Sequence, residues 1–394
     1  MVRHIRRNLV SAAIAALAVT GATAVHADDD SFKSQRNAYV VNSLVSDQNG
    51  VANFQDPVLR NAWGVAFTPG ASPFWIADNV SGCATLYDGT GVKVALQVAI
   101  PLPDNSVPST ACQPASTQTN PPPPTPAAPT GLVWNPTTTF VVPGTGTPGI
   151  AASFIFATED GTISAWAGTI PDPSHAVIAV DNSGSGAVYK GLVFGTNPRG
   201  VFLFATNFNS GKVDVFAPNG STGFRPATSQ EVEGGFTDPS IPAGFAPFGI
   251  ENIDGNLFVS YAKQNAQKHD DVAGPGNGFV DVFDTDGNLL RRFASRGPLN
   301  SPWGMTRASF AFGRFSGLIL VGNFGNGKIN VFSSQGQFID ELDLPNDKPL
   351  IIDKLWKLIL GGGRNSSSDT LYFTAGPNDE TNGLFGTVTP ASKQ

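Results

Sequence analysis

One pattern recurs six times along the chain and constrains its fold more than any other feature. A copy opens on an aromatic or small residue with glycine (Trp356-Lys357 in the sixth), runs through a short apolar strand and then a second, turns through a glycine-rich loop and ends on an alternating strand. The six copies begin near Trp63, Gly131, Gly191, Phe248, Trp303 and Trp356. Their second strands cover residues 74–78, 154–159, 202–207, 257–261, 318–323 and 371–375. Spacing of this size fits one four-stranded blade with its loops. A closed ring of blades hides the strand edges that an isolated sheet would expose. The predicted fold is therefore all-β, a six-bladed β-propeller. A fourth strand follows most copies, at residues 93–100, 289–293 and 338–344, but the sixth copy has none. A spare strand ahead of the first copy, Ala38 to Val45, is predicted to complete that blade and close the ring. Composition agrees: there are 44 Gly, 31 Pro and 28 Phe, and only 14% of residues are charged. Helix surfaces need more Lys and Glu than that.

Residues 1–27 read as a secretory signal peptide. Arg3, Arg6 and Arg7 precede an uncharged apolar stretch over 9–25, and Val25-His26-Ala27 supplies a cleavage site. The stretch is shorter than the ~20 residues of a membrane span. The expected product is secreted or periplasmic, with no membrane span after cleavage. Its expected layout is a flexible N-terminus over 28–37, one propeller domain over 38–390 with a Pro-rich loop at 104–129, and a tail over 391–394. In such a compartment the only two cysteines, Cys83 and Cys112, are expected to pair. The net charge of −7 becomes more acidic without the leader, and no basic run is present. Nucleic acid is therefore excluded as a partner, because phosphate binding needs clustered cations.

The repeat text resembles the NHL-type propeller repeat. Ala62-Trp63-Gly64-Val65, Trp75-Ile76-Ala77-Asp78, Lys268-His269-Asp270-Asp271, Val280-Asp281-Val282-Phe283 and Ala375-Gly376-Pro377-Asn378 are similar to stretches of an uncharacterised family of exported bacterial propeller proteins. The similarity covers residues 37–389. It implies fold and export and no particular activity. Some members of that family carry a sorting tail of the PEP-CTERM type; surface anchoring by that route is not expected here.

Two histidines lie outside the leader, His175 and His269. A His-rich zinc site is excluded, so a metal would be held by oxygen, as Ca²⁺ or Mg²⁺ are. The residues ending the second strands include Asp78, Glu159, Asn207 and Asn323. Gathered at one radius around an axis, they would form a candidate metal ring, similar to the Asp, Glu and Asn set of calcium-dependent lactonases. The competing explanation is that they start turns. A second candidate lies in the long excursion 262–278, where Lys263, Lys268, His269, Asp270 and Asp271 offer a base, a carboxylate partner and cations; the competing explanation is a solvated loop tip. His175 reads as a turn residue. The long loops 104–129, 262–278 and 376–382 are expected on one face, with the column acids. Two functions follow: a module that binds an unknown ligand or protein on that face, without a certain cofactor, or a Ca-type hydrolase of the lactonase or gluconolactonase kind.

Overall fold

The structure, a computed structural model, describes residues 35–70, 72–115 and 124–391. The expected signal peptide, most of the expected flexible N-terminus and residues 116–123 of the Pro-rich loop lie outside the described residues. Six sheets form the blades. Blade 1 comprises Ala62–Ala66, Phe74–Asp78, Cys83–Tyr87 and Lys93–Ala99, from the axis outward. Blade 2 comprises Pro129–Trp134, Phe154–Thr158, Thr162–Trp166 and Val177–Asp181. Blade 3 comprises Tyr189–Asn197, Gly200–Asn207, Lys212–Pro218 and the short Phe224–Pro226. Blade 4 comprises Phe245–Ile253, Asn256–Lys263, Gly278–Phe283 and Leu289–Ser295. Blade 5 comprises Pro302–Arg307, Ile319–Asn323, Ile329–Phe332 and Phe338–Glu341. Blade 6 takes Leu355–Leu360, Leu371–Ala375 and Leu384–Pro390 from the end of the chain and Tyr39–Ser46 from its start.

The ring closure read from the sequence is therefore present. Tyr39–Ser46 runs antiparallel to Leu384–Pro390, with Tyr39 opposite Pro390 and Ser46 opposite Leu384. The two-residue strand Phe54–Gln55 adds outside it, in parallel. Tyr39 is buried; its hydroxyl donates to the Phe312 carbonyl at 2.9 Å and its ring stacks on Phe312. Asn37 is tied down as well, donating to the Glu341 carbonyl and to Asp343 at 2.8 Å each.

Second strands such as Phe154–Thr158 and Leu371–Ala375 are buried along their whole length. Each blade packs between two others, so both faces are covered and the strands read as apolar runs instead of alternating. The inner strands of neighbouring blades touch one another around the complete ring. Glycine in the repeat makes that approach possible. A Cβ on Gly64 would overlap the Thr130 carbonyl oxygen, and one on Gly304 would overlap that of Trp356. Both obstacles are backbone and cannot rotate away. Gly304→Ala should therefore destabilise the fold by about 3 kcal/mol or more, read as a lowered denaturation midpoint at unchanged slope.

Trp63 and Trp303, which precede these glycines, meet Trp356 and Phe324 at the axis. Trp63 stacks on Trp356 with centroids 3.5 Å apart, Phe324 stacks on Trp356 from 4.0 Å, and Trp303 meets both tryptophans edge-on. The channel is thus plugged by aromatic rings. Cys83 and Cys112 form the expected disulfide, with Cα atoms 5.0 Å apart. It ties the Pro-rich loop to the third strand of blade 1. Among the described residues no helix is long and apolar enough to cross a membrane.

Candidate functional site

Above the aromatic plug, side chains from five blades form one connected polar centre. Asn61, on the last residue before the inner strand of blade 1, adopts a left-handed φ of 45°. Its carbonyl oxygen accepts from Trp356 Nε1 at 2.8 Å. Its amide donates to Asn79 at 3.2 Å and to Glu380 Oε2 at 2.9 Å. The Asn79 amide donates in turn to Glu159 Oε2 at 2.9 Å. The other Glu159 oxygen accepts from Lys190, whose ammonium also lies 3.8 Å from Asp270. His269 Nδ1 is 2.8 Å from Asp270 Oδ1.

Lys190 is the most unusual member. It lies on the inner strand of blade 3, directly before Gly191, and only 2% of it is exposed. A lysine is fully buried almost only when paired. Glu159 supplies the pair, and the rings of Trp63 and Phe208 lie 5.2 and 5.8 Å from the ammonium. A cation over aromatic faces gains further attraction where water is excluded.

Crowded carboxyls shift the proton balance of this centre. Burial, and then the charge of Glu159, raise the Glu380 carboxyl to about 7. Burial also raises Asp160 and Asp271. The Asp271 Oδ2 atom is buried without a hydrogen-bond partner. The hydrogen bond between His269 and Asp270 raises the imidazole and lowers the carboxyl. The Glu380 shift has a defined consequence. Its folded pKa lies above the ordinary 4.5, so the folded state holds the proton longer than the unfolded chain does. The resulting stabilisation is complete below about pH 4.5 and is lost as pH rises through about 7. Glu380→Gln should flatten the stability profile across that window, by at most about 3 kcal/mol, in urea titrations at several pH values.

The structure does not bring the column Asp78, Glu159, Asn207 and Asn323 together. Strand pairing explains why. Val65, Leu132, Leu192 and Met305 lie at matching positions of their inner strands, opposite Ile76, Phe156, Ala205 and Val321. That register aligns Asp78 with Thr158, Asn207 and Asn323, and places Glu159 one residue further on, level with Asn79, Phe208 and Phe324. Successive strand residues point to opposite faces, so a shift of one changes the face. Glu159 and Asn79 reach the axis. Asp78 is fully buried inside blade 1, near Thr85, Tyr87 and Asp56, where burial pushes its carboxyl well up. Asn207 accepts from the Val188 and Ser210 amides and donates to Asp214. Asn323 accepts from Asn300 and donates to the Pro298 carbonyl. Asn207 and Asn323 thus hold turns.

The second sequence candidate divides. His269 and Asp270 join the axial centre with Glu159. One ligand atom from each of these three lies within 4.8 Å of the others, the one cluster of His, Cys, Asp or Glu of that kind among the described residues. Lys263 and Lys268 are exposed and have no ion-pair partner there. His175 lies beside Asp172 in an exposed turn. Sequence reading missed Asn61, Asn79, Lys190 and Glu380. One signal for Asn61 exists: it stands two residues before Trp63, as Ser301 and Lys354 stand before Trp303 and Trp356, and all three have positive φ.

The Pro-rich loop returns to this face. The Ala128 amide donates to Asp160 at 2.8 Å, and the Glu159 amide donates to the Ala128 carbonyl at 2.9 Å. A cleft of about 550 Å³ lined by Arg60, Val80, Thr110 and Pro126 opens next to the chain neighbours Asn61 and Asn79.

No family model matches the chain. It is 30% identical to the uncharacterized protein L690 of Acanthamoeba polyphaga mimivirus over 351 residues, covering 88% of this chain and 85% of that protein. The uncharacterized protein R648 of the same virus is 29% identical, with 88% and 79% covered. The relatives found are thus viral, where the sequence resemblance pointed to bacterial exported proteins. Solved structures similar to this chain include a gluconolactonase from Xanthomonas campestris, with 14% identity, a TM-score of 0.47 and 84% and 88% covered. A streptogramin B lyase has 13% identity, a TM-score of 0.46 and 90% and 98% covered. A glucose dehydrogenase has 11% identity, a TM-score of 0.48 and 90% and 100% covered. No chemistry is carried over from these three.

Proposed function

Since the chain belongs to the family of the mimivirus protein L690, we propose that this family member is a ligand-binding propeller whose axial centre takes a divalent cation together with a small polar ligand. The observation that carries this reading is the convergence of Glu159, His269 and Asp270, from loops of two blades, on one half-buried point. Two carboxylates and one imidazole form a mixed oxygen and nitrogen set. Such a set suits Mn²⁺ or Zn²⁺ better than the all-oxygen Ca²⁺ site expected from the sequence. Burial raises the nearby acids Asp160, Asp271 and Glu380, the last to about 7. Glu380 would discharge its proton as a cation arrives, so affinity should rise with pH. The cleft lined by Arg60 and Val80, the chain neighbours of Asn61 and Asn79, offers room for the ligand, and the Cys83–Cys112 disulfide supports export to an oxidising compartment.

Isothermal titration of the purified protein with MnCl₂ and CaCl₂ tests the reading. Saturable binding of one Mn²⁺, tighter than Ca²⁺ and weakened at least tenfold in Glu159→Gln, is expected. Equal binding by wild type and variant would reject it. A second reading has its own support in Glu380, a carboxyl that exchanges its proton near neutrality. It would make the bound ligand a substrate, an ester or lactone that is hydrolysed. A metal-dependent hydrolysis rate that falls in Glu380→Gln with metal affinity retained would favour it; no turnover of a panel of lactones would leave binding alone.

A further inference from the structure

Blades 3 and 4 carry the same third-strand text, Val213-Asp214-Val215-Phe216 and Val280-Asp281-Val282-Phe283. Strand register makes the two aspartates equivalent, since Asp214 pairs with Ala205 and Asp281 with Val259, at matching places in the second strands. In blade 4 the carboxylate is completely buried and has a partner cation. Arg292 stands directly opposite Asp281 on the outer strand, and its Nε donates to Asp281 Oδ1 at 2.5 Å. The same guanidinium bonds Asp238 and lies 5.0 Å from the Phe279 ring.

Blade 3 has no such cation. Its outer strand, Phe224–Pro226, pairs only with Phe216, Ala217 and Pro218, and one further bond joins the Ala227 amide to the Val215 carbonyl. The position opposite Asp214 therefore falls at Thr228, where the strand has ended. Thr228 turns away and bonds Glu231 with both its amide and its hydroxyl. A pocket of about 410 Å³ occupies the space, lined by Asp214, Asn182, Thr228, Val213, Val232 and Phe236. Asp214 is fixed there. Its Oδ2 accepts from the Tyr189 hydroxyl and the Asn207 amide, at 2.9 Å each, and Asn182 in turn donates to the Tyr189 hydroxyl at 2.7 Å. Among the described residues no donor reaches Oδ1 and no cation lies within ion-pair distance. A half-buried carboxylate held in place by neutral donors attracts a cation more strongly than an exposed one.

We propose that this pocket binds the guanidinium group of a small alkylguanidinium ligand, which takes the place that Arg292 fills in the next blade. The planar fork of a guanidinium matches a carboxylate with one oxygen free, and the alkyl chain packs on Val213, Val232 and Phe236. This site lies on the outer part of blade 3 and does not depend on the axial centre.

The test is calorimetric titration of the full chain with n-butylguanidinium and with its neutral isostere n-butylurea. Butylguanidinium is expected to bind roughly tenfold or more tightly than butylurea, and Asp214→Asn is expected to remove that preference. Thr228→Arg rebuilds the missing counterpart of Arg292. It should abolish butylguanidinium binding and raise the melting temperature, which keeps the test decisive should the Asp214 variant fold poorly. Equal binding of the two probes, or butylguanidinium binding retained in Thr228→Arg, would overturn the proposal.

Discussion

Removal of residues 37–47 should leave a protein that melts more than about 10 °C lower and associates in a concentration-dependent way. The segment carries Tyr39, Leu44 and Val45, all buried, into the seam between the first and last parts of the chain. Each contributes about 2 kcal/mol by burial, and the total is a large fraction of the 5–15 kcal/mol typical of a folded protein. The loss is also topological. Without Tyr39–Ser46, the strand Leu384–Pro390 becomes an open edge that offers its amides and carbonyls to other chains. Differential scanning calorimetry and sedimentation velocity would read both effects. A monomer with an unchanged melting temperature would contradict the closure.

The second large effect is expected at Lys190. Replacement by Met keeps the length and the packing against Trp63 and Phe208 but removes the charge between Glu159 and Asp270. Breaking a buried pair leaves an uncompensated carboxylate and typically costs about 3–5 kcal/mol. The metal-free variant should therefore be strongly destabilised. The same change removes a cation that competes for Glu159, so the variant should bind Mn²⁺ more tightly than wild type. Added Mn²⁺ should recover much of the lost stability through linkage. A structural lysine with no cation site beside it would give destabilisation that Mn²⁺ does not repair. Urea denaturation with and without MnCl₂ separates the two.

Much of the architecture was legible because its signals are local and repeated. A glycine marks the inner strand in five of the six copies, at Gly64, Gly131, Gly191, Gly249 and Gly304, where a Cβ would meet the neighbouring inner strand; the sixth copy has Lys357 at that place. The missing fourth strand in the sixth copy announced the role of Tyr39–Ser46. The two cysteines paired as the compartment suggested. The axial centre was legible only in part. His269 and Asp270 stood out because their loop is long. Glu159 was selected in company with Asp78, Asn207 and Asn323, from which it differs by one position. The second strand of blade 2 ends on Thr158, where those of blades 1, 3 and 5 end on Asp78, Asn207 and Asn323, and the polar pair Thr158-Glu159 leaves that end ambiguous in the sequence. Lys190 was passed over as part of a strand, since nothing next to it in sequence shows that its partner comes from another blade. Asn61 and Glu380 meet across a separation of 319 residues, so only the closed ring brings them together.

The most direct test of the axial assignment is diffraction from crystals soaked in manganese chloride, with data collected at a wavelength sensitive to the anomalous signal of the metal. One strong peak is predicted at the mouth of the axis, within about 2.3 Å of a carboxylate oxygen of Glu159, a ring nitrogen of His269 and an oxygen of Asp270. Manganese found only at surface carboxylates, with Lys190 and Glu159 still joined and no density between Glu159 and His269, would contradict the account.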